Sequence, residues 1–328
     1  MKAIVVSAGG VEVADVAQPV PGPAEVLVRV HSASLNRADL QVASGRKHGS
    51  SGGLGTTVGI ELAGTVAAVG SAAGAAGVAV GDAVMASGRG GYAEYAVADW
   101  GRVYRLPRGL DFADGCVLPV ALQTAHDALV GNGKLVRGET VLVHGATSGV
   151  GLMTMQVARH LGAGRVIGTS SSDERAARLP DFGAHIALVT SDASWPDQVL
   201  EATAGAGADL VVDFVAGETI NATMRATALG GRIVNVGRLA GFHGDFDFDL
   251  HSLRRIRYLG ATFRTRSAED VRVIAAGVRA DLWPAVVAGA LRLPVSRRFP
   301  LQEAAAALAH MRENAHFGKV VLDVLPPT

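Results

Sequence analysis

Two domains are what this sequence predicts: an all-β, partly closed barrel, and an α/β domain built on a doubly wound parallel sheet. Three observations carry that reading. The 328 residues are enough for about two domains with full hydrophobic cores. Up to about residue 120, short β-runs are punctuated by Gly, Pro and Asp. Beyond it, apolar strand-like runs alternate with helix-like segments, the pattern of a parallel sheet covered by helices.

In chain order, the first part offers β-runs at Ala3–Val6, Val26–Ala33, Ile60–Val69, Ala83–Ala86, Tyr92–Val97 and Arg102–Arg105. Asn36–Ser44 reads as one or two helical turns, Gly45–Thr57 as a Gly/Ser-rich loop, and Gly70–Gly77 as a surface turn. Asp111–Val130 is helical, is interrupted at Pro119, and links the domains. Strands follow at Thr140–His144, Arg165–Thr169, His185–Val189, Asp209–Phe214, Arg232–Val236 and Tyr258–Thr262. Helices fall at Asp173–Leu179, Trp195–Thr203 and Glu218–Leu229, then at Ala268–Ala280 and Leu282–Leu291. Val295–Pro300, a helix at Gln302–Arg312 and the strand Lys319–Val324 have the texture of the first part, so the chain is expected to return there.

The most informative stretch is Glu139–Leu161. A β-branched apolar strand runs into Gly145, Ala146, Thr147, Ser148, Gly149, Val150 and Gly151, and apolar residues at Leu152, Met155, Val157, Ala158 and Leu161 continue as a helix. Strand, small-residue turn and helix form a place for a dinucleotide pyrophosphate. The first helical turn presents unpaired N–H groups and the positive end of the dipole. In the G-x-G-x-x-G register only Gly151 is a glycine, Ala146 and Ser148 filling the other two places.

Composition removes several classes. Thirty basic and thirty acidic residues cancel, and no basic run occurs, so neither a nucleic-acid partner nor a membrane surface is expected. Cys116, the single cysteine, excludes an intramolecular disulfide and a structural zinc site built from several thiolates. The apolar run in MKAIVVSAGG is too short for a signal peptide, and no segment is long enough to span a bilayer, so a cytoplasmic location is expected.

Read together, the chain resembles the zinc-independent medium-chain dehydrogenase/reductase superfamily, in its quinone oxidoreductase (zeta-crystallin-like) branch. The residues that carry the resemblance occur in order over nearly the whole chain: Ser34–Leu40, Gly59–Val66, Gly81–Val84, Gly91–Tyr95, Leu122–Ala125, the turn Gly145–Gly151, and Phe317–Leu322. The resemblance implies a GroES-like β-barrel catalytic domain over residues 1–122 and 264–328. It implies a Rossmann doubly wound parallel sheet over 123–263, with NADPH held between the two and a homodimer or homotetramer as the assembly.

It also implies site residues. Asn36 and Thr124 match positions that border the nicotinamide or its ribose; Asn36 reads equally as a helix cap and Thr124 as a helix residue bonding to the preceding turn. Cofactor contacts are implied at Gly145–Gly151, Val215, Gly237, Arg238, Phe263, Arg264, Arg266, Phe317 and Lys319. Arg264 and Arg266 read equally as solvated. Relatives place a tyrosine in the loop after the Asn36 helix, and here that loop has none. Lys47 or His48 can stand in for it as the polar group, each equally readable as a solvated loop residue, and Tyr92 reads as an acceptor-pocket residue or as packing. Zinc-dependent members carry a cysteine near Asn36 and a histidine where this chain has Ile60. Cys116, His31, His48 and His126 do not supply that spacing, so no metal is expected. The second nucleotide strand leads into Ser170 at the place of an acidic residue that favours NAD. Ser170, Ser171 and Arg175 suit a 2′-phosphate, whereas a shifted register brings Asp173 to the ribose.

These readings converge on NADPH-dependent, metal-independent reduction of a quinone or an α,β-unsaturated carbonyl, a small-molecule substrate. An enoyl-thioester reductase of a biosynthetic pathway is the alternative within enzymes, and a non-catalytic NADPH-binding protein is the alternative outside them.

Overall fold

The computed structural model describes residues 1–49 and 51–325; Ser50, in the loop that lacks the family tyrosine, lies outside them. The chain divides into two compact units, Met1–Val120 with Phe263–Thr328, and Ala121–Thr262.

In the first unit, the strands are β1 (Lys2–Ser7), β2 (Gly10–Asp15), β3 (Glu25–Ser34), β4 (Glu61–Val69), β5 (Ala83–Ser87), β6 (Tyr95–Asp99) and β7 (Val103–Arg105). The second unit contributes β8 (Thr140–His144), β9 (Arg165–Ser170), β10 (Ile186–Val189), β11 (Ala208–Asp213), β12 (Thr227–Asn235) and β13 (Arg257–Gly260). The chain then returns to the first unit with β14 (Val295–Pro300) and β15 (Lys319–Asp323).

The barrel sheet runs β14-β15-β3-β4-β5-β7, with β6 also paired to β3. β15 lies antiparallel to β3, so the last strand returns to the first unit, as the texture of its sequence predicts. The interior is filled by alternate residues of these strands, Val26, Val28 and Val30 among them, together with Leu62, Val84, Leu308 and Leu322. A separate hairpin joins β1 and β2; β2 has no counterpart among the expected strands, because GVEVAD sits largely exposed and carries little apolar signal.

In the second unit the sheet order is β10-β9-β8-β11-β12-β13, and every pairing is parallel. Numbered from β8 that is 3-2-1-4-5-6, the doubly wound order, in which the strand sequence reverses between β8 and β11. Ligands of such sheets sit beyond the carboxyl ends of the strands at that reversal. β8 ends at His144 and runs directly into the glycine-rich turn.

Several elements depart from the sequence expectation. Gly70–Gly77 is not a plain turn: its alanines form a helix, Ser71–Ala75, which Gly77 follows at φ +88°. The helix expected over Glu218–Leu229 stops at Ala226, and Thr227 already pairs with Ala208 in the sheet. A register irregularity between Ala208 and Leu210 absorbs the Gly230–Gly231 stretch of β12, so this strand begins well before Arg232. The Leu282–Leu291 helix is cut to Trp283–Val287 ahead of Gly289 at φ +70°. A helix at Phe248–Arg254, flanked by polar residues and without buried side chains, gave no periodic signal.

Candidate active site

Each unit places its own set of functional side chains. In the second unit, the helix Gly149–His160 begins at the glycine-rich turn, and Ser148 is its N-cap, accepting the Gly151 N–H at 3.1 Å. Gly145 turns the chain at φ +82°. At Gly151 a Cβ would lie 2.7 Å from the Ala146 carbonyl oxygen and 2.8 Å from its Cα, so the helix meets the turn backbone to backbone. These features set a small-residue backbone turn at a helix N-terminus, which fits the pyrophosphate of a dinucleotide.

Beside the turn, β9 ends in Ser170, which is buried, with its hydroxyl donating to the Ser172 carbonyl at 3.0 Å and accepting the Ser172 N–H at 3.1 Å. Ser171 is exposed, and the Arg175 guanidinium donates to its hydroxyl at 3.3 Å. Asp173 and Glu174 lie in the first turn of the helix Asp173–Ala176, where their charge suits the dipole. Ser171 and Arg175 are therefore adjacent in space and at the protein surface. Val215, Gly237 and Arg238 are half-buried in the loops after β11 and β12, and Thr124 is half-buried on the helix Pro119–His126.

The first unit holds a buried ionic network. The Lys319 ammonium is 2.9 Å from Glu61 Oε2, and it donates to Asn36 Oδ1 at 2.8 Å and the Leu35 carbonyl at 3.0 Å. Its three hydrogens thus have three acceptors. The Asn36 amide donates to Glu61 Oε2 at 3.0 Å, and Glu61 Oε1 accepts the Val120 N–H at 2.7 Å. The sequence singles out Asn36 and Lys319 one at a time as cofactor contacts; here their side chains are bonded to each other. Asn36 is also the N-cap residue of the helix Arg37–Ala43, but the cap comes from Asp39, whose Oδ2 accepts the Asn36 N–H at 2.7 Å.

Tyr92 is fully buried, and its hydroxyl donates to the same Asp39 Oδ2 at 2.8 Å. Gly59, at φ +102°, lets that ring in, since a Cβ there would lie 2.4 Å from it. Burial pushes the Asp39 carboxyl up to about 7, against the lowering effect of these two hydrogen bonds and of Lys319. Both donated hydrogens arrive at Oδ2, and Oδ1 is buried with no partner among the described residues, which makes Oδ1 the atom for a proton. Burial likewise raises the Tyr92 phenol and the Cys116 thiol well above their ordinary values, so neither ionises near neutrality.

Around the loop after the Asn36 helix, Lys47 is exposed and His48 half-buried. Burial, with the Arg264 guanidinium, lowers the His48 pKa. Gly49 packs on the Arg264 backbone, so His48 and Arg264 are neighbours. Phe263 and Arg266 lie on the same segment, the guanidinium 5.8 Å from the ring centroid, and Phe317 is buried. Asp39 and Glu61 carry much of this chemistry and were not singled out in the sequence. The spacing Asn36-x-x-Asp39 ahead of apolar residues is a capping signal that would have found the first.

Comparison with known proteins matches both units. Residues 22–108 match the alcohol dehydrogenase GroES-like domain and residues 149–276 the zinc-binding dehydrogenase family. Human quinone oxidoreductase is 30% identical over 307 residues, 91% of this chain and 90% of the human one. A solved mycobacterial protein complexed with NADPH is 30% identical with a TM-score of 0.85, covering 98% of this chain and 99% of its own. The crystal structure of CurK enoyl reductase is 25% identical with a TM-score of 0.85 and covers 98% of each chain. With likeness of that extent in both units, the chain belongs to the zinc-independent quinone oxidoreductase branch of the medium-chain dehydrogenase/reductase superfamily.

Proposed function

We propose that this protein is an NADPH-dependent, metal-independent reductase of quinones or α,β-unsaturated carbonyls. One observation carries the reading: the small-residue backbone turn at Gly145–Gly151 stands at the strand-order reversal of a doubly wound sheet. The mycobacterial relative complexed with NADPH supports the cofactor, and Ser171 with Arg175 beside β9 suits its 2′-phosphate.

The nicotinamide cofactor, when bound, supplies a hydride to an electron-poor carbon. The protein's own work is to bind, to orient and to manage a proton. Holding the reacting carbons in a near-attack geometry is worth about 7–11 kcal/mol, enough for an activated acceptor without a Lewis acid. The Asn36 amide is clamped between Lys319 and Glu61, which fixes the loop that leads into the Arg37–Ala43 helix. The Tyr92 hydroxyl is spent on Asp39, so of the three candidate proton donors only Lys47 and His48 have solvent access. The proton comes from one of them or directly from water.

Similarity to an enoyl reductase favours an enoyl thioester as the second reading. Steady-state NADPH oxidation separates the readings, using 9,10-phenanthrenequinone, 1,4-benzoquinone, 2-alkenals, an enoyl thioester and simple secondary alcohols. Turnover of the quinones or alkenals above the thioester is the expected result. A thioester preference moves the assignment to the second reading, and faster alcohol oxidation rejects both. Binding of NADPH without turnover of any acceptor identifies a non-catalytic binder.

A further inference from the structure

At the carboxyl ends of the second unit's central strands, the apolar runs give way to four polar side chains, Thr169, His144, Asp213 and Asn235, on β9, β8, β11 and β12. All four are buried. Asp213 is the register partner of His144 on one side and of Asn235 on the other. Thr169 is bonded to His144, Oγ1 to Nδ1, at 2.9 Å. Burying four such groups in a sheet of Val, Leu and Ile costs free energy unless each is satisfied.

Each of them reaches a loop. Thr169 Oγ1 accepts the Gly145 N–H at 3.0 Å, at the start of the glycine-rich turn. Asp213 Oδ1 accepts the N–H groups of Val215 at 2.8 Å and Ala216 at 3.1 Å, while Oδ2 is buried without a partner among the described residues. The Asn235 amide donates to the Gly237 carbonyl at 3.0 Å. His144 Nε2 lies 3.3 Å from the Thr219 hydroxyl. The loops so held are those that carry Gly145, Val215 and Gly237.

The hydroxyls decide which imidazole nitrogen carries the proton. Thr219 spends its single hydrogen on the Ala216 carbonyl at 2.8 Å, so towards His144 it only accepts. Nε2 is then the protonated nitrogen, and Nδ1 accepts from Thr169, whose oxygen accepts from Gly145. One directed chain results: Gly145 N–H to Thr169 O–H to His144 Nδ1, and His144 Nε2–H to Thr219 O–H to the Ala216 carbonyl. It ends at a residue under backbone strain, Ala216 at φ +54°, ψ −146°. His144 is the only member of the chain able to take up an extra proton, and doing so would reverse the Thr169 bond, the hydroxyl then accepting from Nδ1. Burial opposes that protonation while the Asp213 charge favours it, and the balance lowers the His144 pKa. Stacking on Trp195, with centroids 4.9 Å apart and planes at 16°, fixes the ring's plane.

We propose that His144 is a positioning residue for the dinucleotide: as the neutral Nε2–H tautomer it ties the glycine-rich turn to the Val215–Thr219 loop and holds both in the binding geometry. The proposal rests on the nucleotide-binding reading above and deepens it.

The test uses the full-length protein and the variants His144→Phe, which keeps a ring against Trp195, and Thr169→Val, which removes only a hydroxyl. NADPH dissociation constants are read by fluorescence titration and folding by thermal melting. Each single variant is expected to melt cooperatively and to weaken NADPH about 5–20-fold. Because both cut one chain, the double variant is expected to bind about as weakly as the worse single one. In the cofactor-free wild type, ¹⁵N spectra of labelled histidine are expected to show Nδ1 bare and Nε2 protonated at neutral pH, a signature that a purely packing role would not set. Additive losses in the double variant, unchanged binding in both single variants, or the opposite tautomer would overturn the proposal. A wild type that binds no NADPH rejects the nucleotide-binding reading itself, and is thereby told apart from variants that bind as well as a competent wild type.

Discussion

Arg175 and Ser171 meet at the surface where β9 gives way to the next helix, and no carboxylate stands at the place of Ser170. Replacing Arg175 by alanine is expected to cost about 1.5–3 kcal/mol of NADPH binding, the range for hydrogen bonds to a charged group, and to leave NADH binding nearly unchanged. Dissociation constants for both cofactors, before and after the substitution, check it; equal losses would remove Arg175 from the phosphate site. A pair of this kind lies within reach of local spacing, because its two members are four positions apart. Asn36 and Lys319 were legible only singly, as motif members. Their mutual bond spans 283 positions, and nothing in local spacing announces it. Tyr92 shows the same limit: the motif marked it, but only the fold reveals that its hydroxyl points to Asp39.

Among the elements, the helix Arg37–Ala43 depends on a cap with an unusual titration. Asp39 holds its proton in the folded protein up to about pH 7, while an unfolded aspartate releases it near pH 4. The folded state therefore binds more protons between those values. The contribution is fully present below about pH 4 and is lost as pH rises through about 7. Asp39→Asn keeps an oxygen for the Asn36 N–H and the Tyr92 hydroxyl but has no proton to lose. Urea midpoints measured from pH 4.5 to 8 are expected to show the variant gaining on wild type by up to about 1.4 kcal/mol per pH unit below pH 7, then levelling. A difference that does not vary with pH would show that Asp39 is ionised throughout. Regular elements such as β8 and β11 were readable because one run of apolar residues sufficed. The helix Phe248–Arg254 and strand β2 were not, since neither buries a continuous apolar face.

For the whole molecule, the absence of ligand types at Asn36 and Ile60 leads to a direct expectation. Prolonged chelation is expected to leave NADPH-dependent turnover unchanged, and elemental analysis to find no stoichiometric zinc; loss of turnover together with a removed zinc would reject the metal-independent reading. The division of the sequence is the larger fact. One compact unit is inserted within the other, and the host closes through a contact between residues 258 positions apart, Glu61 and Lys319. On a ribosome adding ~5–20 residues per second, roughly 13–50 s separate the synthesis of those two residues. Throughout that wait Glu61 has no cation to bury against, and β3 lacks β15 at its edge. All the strands of the inserted unit have been made by then. The nascent chain is thus set to complete its nucleotide-binding unit first, and the barrel shuts only when the final strand brings in Lys319 to neutralise Glu61.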